Sequence, residues 1–366
     1  MADLARGTGV LQSGGLTCGA VPKLGTVVLF LKGLPMLRWA VVGTSFISDT
    51  MVRAISASPN STVTVAVGRD EARLSEFCER HSIPKSTMSV EAAIADPEVH
   101  VVYVGTPNHV HHETTRLAAT AGKAVLSEKS LAVSMSQTEE LLSAVQGRVF
   151  FVEGLMYLAH PVLARFLDVL RDGRLGELKS LSASYAANIA HLVNPHGGGA
   201  VFNLGCYPAS LVQLVVDALQ GDGSFDDCSV VAQGNVSTVD GNVCEAVAAV
   251  RFDSGVLATL CTAETYGNVA RFEVQGANGT LAFVTNPWLP ERGENRFSWT
   301  GFNGDFEEFV VTDPLDAFDH QVRMVEANIA AGRLEAERPS PRLQDSRALM
   351  AFLTEWEALA RGDNIR

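Results

Sequence analysis

The stretch LRWAVVGTSFISDTMVRAISASPNSTVTVAV, Leu37–Val67, decides the fold. Leu37–Val42 is an apolar run that stops at Gly43, the pattern of a buried parallel strand. Ser48–Ala57 carries helical spacing, with Met51, Val52 and Ile55 on one side, and the β-branched run Thr62–Val67 predicts a second strand. Outward from this unit the same grammar repeats. Glu71–His81 and Val90–Ala95 read as helices, Val99–Val104 as a strand ending in Gly105-Thr106-Pro107, and Glu113–Ala121 as a helix stopped by Gly122. Ala124–Ser127, the helix Ser136–Val145 and the strand Val149–Glu153 complete the series. Strands alternating with helices predict an α/β layer, a parallel sheet covered on both faces.

After Met156 the pattern changes. Helices at Pro161–Asp172 and Gly199–Gln220 bracket a strand at Leu178–Ala187. Longer strands follow at Ser229–Val239, Glu245–Phe252, Val256–Glu264, Phe272–Gln275 and Thr280–Val284. Asp253-Ser254-Gly255 and Ala277-Asn278-Gly279 carry the residues that hairpin turns require. Helices at Ala317–Ala331 and Leu343–Ala360 close the chain. This half reads as α+β with a large, mostly antiparallel open sheet.

The chain has 366 residues, enough for two domains, since single cores seldom grow past roughly 250–300 residues. The boundaries predicted are 36–155 for the parallel layer and 156–366 for the second domain. Residues 1–35 precede a second methionine, Met36, and read as a leader or extension. The net charge of −13 argues against nucleic acid as a partner, because phosphate binding needs concentrated Lys and Arg. Six scattered cysteines without a C-x-x-C pair suit neither a zinc site nor a disulfide framework, and reduced thiols point to a cytoplasmic protein. No apolar run approaches the roughly 18–20 residues needed to cross a bilayer, so no membrane partner is expected.

The turn after the first strand sits where a dinucleotide fingerprint belongs. The G-x-G-x-x-G template falls on Gly43, Ser45 and Ser48, so one of three glycines is present. Within Gly43-Thr44-Ser45-Phe46-Ile47 the glycine permits the tight turn, and the free N–H groups of Ser45, Phe46 and Ile47 can hold a pyrophosphate. The alternative is an ordinary strand-to-helix turn. The second strand ends in Gly68-Arg69-Asp70. Asp70 stands late for the ribose hydroxyls of NAD, whereas Arg69 is placed for the 2′-phosphate of NADP, so NADP is the expected cofactor and NAD the alternative. A Rossmann domain is the reading.

Residues 106–132, TPNHVHHETTRLAATAGKAVLSEKSLA, resemble the signature of the glucose-fructose oxidoreductase/inositol dehydrogenase/MocA family. The matching positions are Thr106-Pro107-Asn108, His111, Gly122-Lys123, Val125 and Glu128-Lys129-Ser130. Glu153-Gly154, Met156-Tyr157, His160-Pro161, Leu175-Gly176-Glu177 and Gly197-Gly198-Gly199-Ala200 with Gly205 and Tyr207 extend the likeness through the chain from Met36. The resemblance implies an NAD(P)-dependent oxidoreductase moving hydride to or from a small sugar, polyol or cyclic diol. It implies Tyr207 as acid/base, Lys129 orienting the substrate oxygen, and Asn203 hydrogen-bonding the substrate. Thr106, Pro107, Asn108, His111, Glu128 and Lys129 are implied to line the cofactor pocket. It further implies a homodimer or homotetramer.

On its own terms the chemistry holds: a carbon that exchanges hydride has an oxygen that must exchange a proton. A phenol of pKa near ~10 does this near neutrality only if positive charge stabilises its phenolate, a role for Lys129 and an oxidised nicotinamide.

Three departures from the family pattern stand out. Asn203 replaces an aspartate and sits at i,i+4 to Tyr207, which predicts one shared helix face. Ser130 replaces the proline of E-K-P, which predicts a relaxed backbone after Lys129. Leu158-Ala159 stand where an arginine is frequent, pointing to a less anionic or differently held substrate. Asn203 and Ser130 keep a second reading open, a non-catalytic NAD(P) sensor of the same fold; a hydrolase or eliminase retaining its cofactor is a third. His109, His111 and His112 lack zinc-site spacing, so no metal is expected, and His160 and His191 are candidates to face the cleft.

Overall fold

The computed structural model describes residues 36–362, so the leader or extension read at residues 1–35 lies outside the described residues. The first sheet is built from β1 (Leu37–Val42), β2 (Ser61–Val67), β3 (Lys85–Thr87), β4 (Val101–Val104), β5 (Ala124–Ser127) and β6 (Phe151–Glu153). Their order is β3-β2-β1-β4-β5-β6, with every neighbouring pair parallel. Helices α1 (Phe46–Ala57), α2 (Glu71–His81), α3 (Val90–Ala95), α4 (His111–Thr120) and α5 (Met135–Val145) connect them. All four residues of β4 are buried, which is why the central strands read as unbroken apolar runs. The strand order reverses between β1 and β4, and their C-terminal ends form the crevice where such sheets take a ligand.

A 3-10 turn at Met156–Ala159 and α6 (Pro161–Arg171) lead to the second sheet. Its strands are β7 (Leu178–Ala187), β8 (Cys228–Val236), β9 (Val243–Phe252), β10 (Leu257–Ala263), β11 (Asn268–Gly276), β12 (Gly279–Phe283), β13 (Gly293–Gly301) and β14 (Phe306–Asp313). The order is β14-β13-β12-β11-β7-β10-β9-β8, antiparallel throughout except where β7 and β10 run parallel at its centre. Burial alternates along β9, so Ala246, Ala248, Val250 and Phe252 point into the core while Val247 faces outward. Three strands go beyond the sequence reading. β3 is a three-residue edge, and β13 and β14 mix charged and apolar residues because only alternate positions face the core.

The helix expected over Gly199–Gln220 is interrupted. Gly198 and Gly199 take φ of +86° and +76°, outside the helical region, a π turn covers Val201–Gly205, and α7 begins at Cys206 and ends at Gln220. A Cβ on Gly199 would stand 2.4 Å from the Val243 carbonyl oxygen, so close approach to β9 is what requires glycine there. The span Val201–Gln220 is long and apolar enough to cross a bilayer, which the sequence reading did not register. It is 94% buried over its most apolar window and serves as the central core helix.

The last segment returns to the first sheet. α8 (Ala317–Ala330) packs on α1, its Glu326 accepting from the hydroxyls of Ser58 at 2.5 Å and Ser61 at 2.6 Å. Phe151 of β6 pairs with Glu335, and α9 (Leu343–Arg361) packs on both α5 and α7. The two sheets are thereby tied by the C-terminal helices as well as by the direct connection.

Phe166 on α6 is fully buried, stacked on Phe283 at 4.7 Å and edge-on to Phe272 and Phe297. Phe166→Ala removes the centre of that aromatic cluster and is expected to cost about 3–5 kcal/mol, read as a lower urea midpoint.

Candidate active site at the strand ends

Gly43 leaves β1 with φ +115°, and its N–H donates to the Val67 carbonyl at 2.9 Å. A Cβ there would lie 2.5 Å from the Gly105 carbonyl oxygen, so only glycine lets the turns after β1 and β4 nest. Ser48, third in the fingerprint, is fully buried, with its Oγ only 3.3 Å from that Cβ position. Ser45 precedes α1 in an extended conformation, and its hydroxyl turns toward Ser48 and Gly105 without capping the helix. The first N–H groups of α1, from Phe46 and Ile47, therefore face the crevice uncapped, a cradle that fits a pyrophosphate. Thr44 packs under the second strand end, its methyl 3.0 Å from where a Cβ on Gly68 would be.

At that strand end Arg69 is exposed, while Asp70 accepts from the Arg73 N–H as the cap of α2. The carboxylate thus has a structural task, and the arginine stays open toward the cofactor side. Burial first, then the neighbouring His196 and Arg69, hold the His109 imidazole below its ordinary pKa. His109 packs edge-on to His196 at 5.4 Å across the crevice. Thr106 Oγ1, His109 Nδ1 and His112 Nδ1 are buried without a partner among the described residues, polar atoms that a cofactor or ordered water would satisfy.

The loops holding the sequence-predicted residues are heavily cross-braced. Both nitrogens of His111 face carbonyls, Nδ1 at 2.8 Å from Ser130 O and Nε2 at 2.6 Å from Thr106 O. Burial pushes this imidazole down to about 4, so it carries one proton at neutrality and donates to one carbonyl at a time. His111 therefore braces the loops around the pocket with both ring nitrogens turned to backbone carbonyls. Glu128 likewise turns inward to accept from the Tyr103 hydroxyl at 2.9 Å, with burial raising its pKa. Pro107 precedes a 3-10 turn that presents Asn108, whose Nδ2 donates to Gly197 O at 2.9 Å and Asn203 Oδ1 at 3.1 Å.

Lys129, Asn203 and Tyr207 come together. Lys129 Nζ donates to the Asn203 carbonyl at 2.6 Å and stands 5.0 Å from the centre of the Tyr207 ring. The expected relaxation after Lys129 does not occur: Ser130 is fully buried, its hydroxyl donates to Phe202 O at 2.8 Å, and its carbonyl meets His111. Asn203 and Tyr207 do not share a regular helix face, because the π turn ends between them. Both nevertheless adjoin Lys129. The Tyr207 hydroxyl points to Met156 Sδ at 3.8 Å, within an aromatic wall of Tyr157, Tyr185 and Trp288. Burial pushes the phenol well above its usual range, and Lys129 lies over the ring face, so the expected phenolate stabilisation is absent in the chain alone.

Other residues of the site had weak sequence signals. Glu264, just past β10, accepts from Asn203 Nδ2 at 2.9 Å, and only its position as a lone acid at an apolar strand end hinted at it. Glu153, quoted for its motif alone, is 1% exposed with no cation paired to it among the described residues, and burial pushes it up to about 7 against the weaker effect of Ser346 and the Leu131 backbone. His160 caps α6, its Nδ1 accepting from Val162 N–H, and its ring packs edge-on to His320. His191 is exposed in the turn after β7.

A model of an oxidoreductase family with an NAD-binding Rossmann fold matches residues 37–152, and a Gfo/Idh/MocA C-terminal domain model matches residues 164–282. The chain belongs to the Gfo/Idh/MocA family. This Gfo/Idh/MocA member is 29% identical to trans-1,2-dihydrobenzene-1,2-diol dehydrogenase of Bos taurus over 262 residues, 69% of this chain and 76% of that protein. A 3-ketoreductase from Actinomadura kijaniata, solved with NADP and TDP-benzene, has TM-score 0.77 and 25% identity, covering 90% of this chain and 98% of its own. The aldose-aldose oxidoreductase of Caulobacter crescentus shares the fold, with TM-score 0.74 and 22% identity over 89% of this chain and 98% of that one.

Two outcomes follow from the geometry. Gly43→Ala, strained in φ and clashing with Gly105, is expected to weaken NADPH binding at least about tenfold in a fluorescence titration. Glu153 binds its proton more tightly folded than unfolded, so its contribution is complete below about pH 4.5 and is lost as pH rises toward 7. Glu153→Gln should flatten that fall and gain up to about 3 kcal/mol over the parent chain at pH 8, measured by urea unfolding at each pH.

Proposed function

We propose that this protein is an NADP-dependent oxidoreductase that interconverts a CH–OH group and a carbonyl on an uncharged sugar, polyol or cyclic diol. The observation that carries the reading is the placement of the Lys129 ammonium on both Asn203 and Tyr207, beside the open dinucleotide turn. A bound nicotinamide supplies the hydride acceptor or donor; Gly43, Thr44, Ser45, Phe46 and Ile47 would hold its pyrophosphate and Arg69 its 2′-phosphate. Lys129 directs positive charge toward the substrate oxygen, favouring the more negative oxygen that develops as the C–O bond order changes. Tyr207 holds its proton through the neutral range, because burial raises its pKa, which suits it to donate that proton when a carbonyl is reduced. The aromatic wall of Tyr157, Tyr185 and Trp288 keeps water from the proton-transfer side.

The dihydrodiol dehydrogenase relative and the ketoreductase solved with NADP support this choice of substrate class and cofactor. The sensor reading rested on Asn203 and Ser130; both make defined hydrogen bonds within the site, which favours turnover.

Lys129→Met and Tyr207→Phe are each expected to lower kcat by about 10²–10⁴-fold while leaving NADPH affinity intact. The measurement is reduced-nicotinamide absorbance with a sugar and diol panel, and full activity in either variant would reject the assignment. Arg69→Ala should weaken NADP more than NAD, since only NADP has the 2′-phosphate. With burial holding the Tyr207 pKa above its ordinary value, carbonyl reduction should show no loss from phenol ionisation on the mildly alkaline side of neutrality.

A further inference from the structure

Asn203 is held on three sides. Its carbonyl receives Lys129, its Oδ1 receives Asn108, and its Nδ2 donates to Glu264. Glu264 is 2% exposed, and no cationic side chain pairs with it among the described residues. Its backbone is pinned: its N–H donates to Cys244 O at 3.0 Å, and its carbonyl accepts from Ile189 and Ala190, both at 2.9 Å. The carboxylate therefore leaves a rigid point beyond β10 and reaches one partner, the Asn203 amide.

Burial raises the Glu264 pKa while the hydrogen bond from Asn203 favours its carboxylate form, and that carboxylate, able only to accept, turns the Asn203 NH₂ group inward. Oδ1 must then face the other way, toward Asn108 and the backbone of Gly197, where a Cβ would lie 3.4 Å from it. That side is the crevice between the Asn108 turn of the first sheet and the glycine turn Gly197–Gly199. We propose that Glu264 is a positioning and specificity-determining residue: it fixes the Asn203 amide so that the substrate meets an acceptor, which admits a hydroxyl and rejects a carboxylate. A site that presents an oxygen here is satisfied by an O–H donor, and a carboxylate would set oxygen against oxygen with nothing between. Asn108 holds Oδ1 and Glu264 holds Nδ2, so the two together fix the amide; without the glutamate only the Asn108 contact resists its rotation, and a turned amide would offer its NH₂ to either ligand. This assignment rests on the proposed substrate site beside Lys129, and it deepens that reading.

The test compares Glu264→Ala and Glu264→Gln with the parent enzyme, using NADP⁺ with trans-cyclohexane-1,2-diol as the neutral probe and trans-2-hydroxycyclohexane-carboxylate as the anionic one. Glu264→Ala should raise KM for the diol about tenfold, change kcat less than about threefold, and narrow the preference for diol over hydroxy acid. Glu264→Gln, which can still accept from Nδ2, should recover most of the diol KM. NADPH affinity, read by fluorescence without substrate, should be unchanged in both variants. In an Asn203→Ala background, Glu264→Ala should add nothing further. Independently of turnover, the Asn203 side-chain amide proton pair, assigned by its loss in Asn203→Asp, should shift in Glu264→Ala.

The assignment is overturned if that amide pair does not move, if the effect of Glu264→Ala persists at full size without Asn203, or if NADPH affinity falls in step with KM. A parent enzyme that oxidises neither probe, nor any sugar or diol, defeats the oxidoreductase reading instead, and the amide resonance then still decides the role of Glu264.

Discussion

The structure turns on a single ammonium group. Lys129 leaves the first sheet just after β5 and donates to a backbone carbonyl of the π turn in the second half, with its charge over the ring of Tyr207. A lysine in such a place would be costly if it lost its partners, since a half-buried charge needs hydrogen bonds to replace water. That carbonyl belongs to the π turn at Val201–Gly205, the irregular start of the core helix. The irregularity in the core helix and the position of the lysine are thus two sides of one arrangement.

Around that contact, almost every polar group of the two loops is spoken for. His111 ties the turn after β4 to Ser130, Ser130 ties the Lys129 loop to Phe202, and Asn108 ties the first half to Gly197 and Asn203. Buried polar networks are rigid when fully satisfied, so these braces set the geometry of the residues left open to a ligand. Those left open are few: the N–H groups that begin α1, Arg69, the hydroxyl of Thr106 and the Lys129–Asn203 side of the crevice. Thr106 Oγ1, His109 Nδ1 and His112 Nδ1 are the unpartnered buried atoms that border this path. Other unpartnered buried atoms lie away from that path, the Glu153 carboxyl, Thr115 Oγ1 and Trp356 Nε1 among them.

Much of the architecture was legible before folding. Short apolar runs alternating with helical segments placed β1, β5, α2 and α3 at their observed bounds, because both the buried strands and the helices that cover them are marked by their own local sequence. Edge strands were harder. β3 has three residues and exposed side chains, and β13 and β14 carry Glu and Arg on the face away from the core, so their apolar periodicity is diluted. In the site, Lys129 and Asn203 were readable from motif spacing, whereas the inward turn of Glu128 and the bracing role of His111 depend on Tyr103, Thr106 and Ser130, partners that no local window identifies.

What the chain determined by itself was local and steric: a glycine where β1 meets the crevice, uncapped N–H groups after it, an arginine at the next strand end, and a lysine and a tyrosine in recognisable settings. The tertiary structure alone decided their electrostatics. It put the ammonium on the ring face and not at the phenol oxygen, buried the phenol so that its proton is held, and set Glu264 behind Asn203 from 61 residues away. The reason is range. Turn and helix preferences act over a few residues of sequence, while burial and charge act through space, and their strength is undefined until the distant segments have closed around the group.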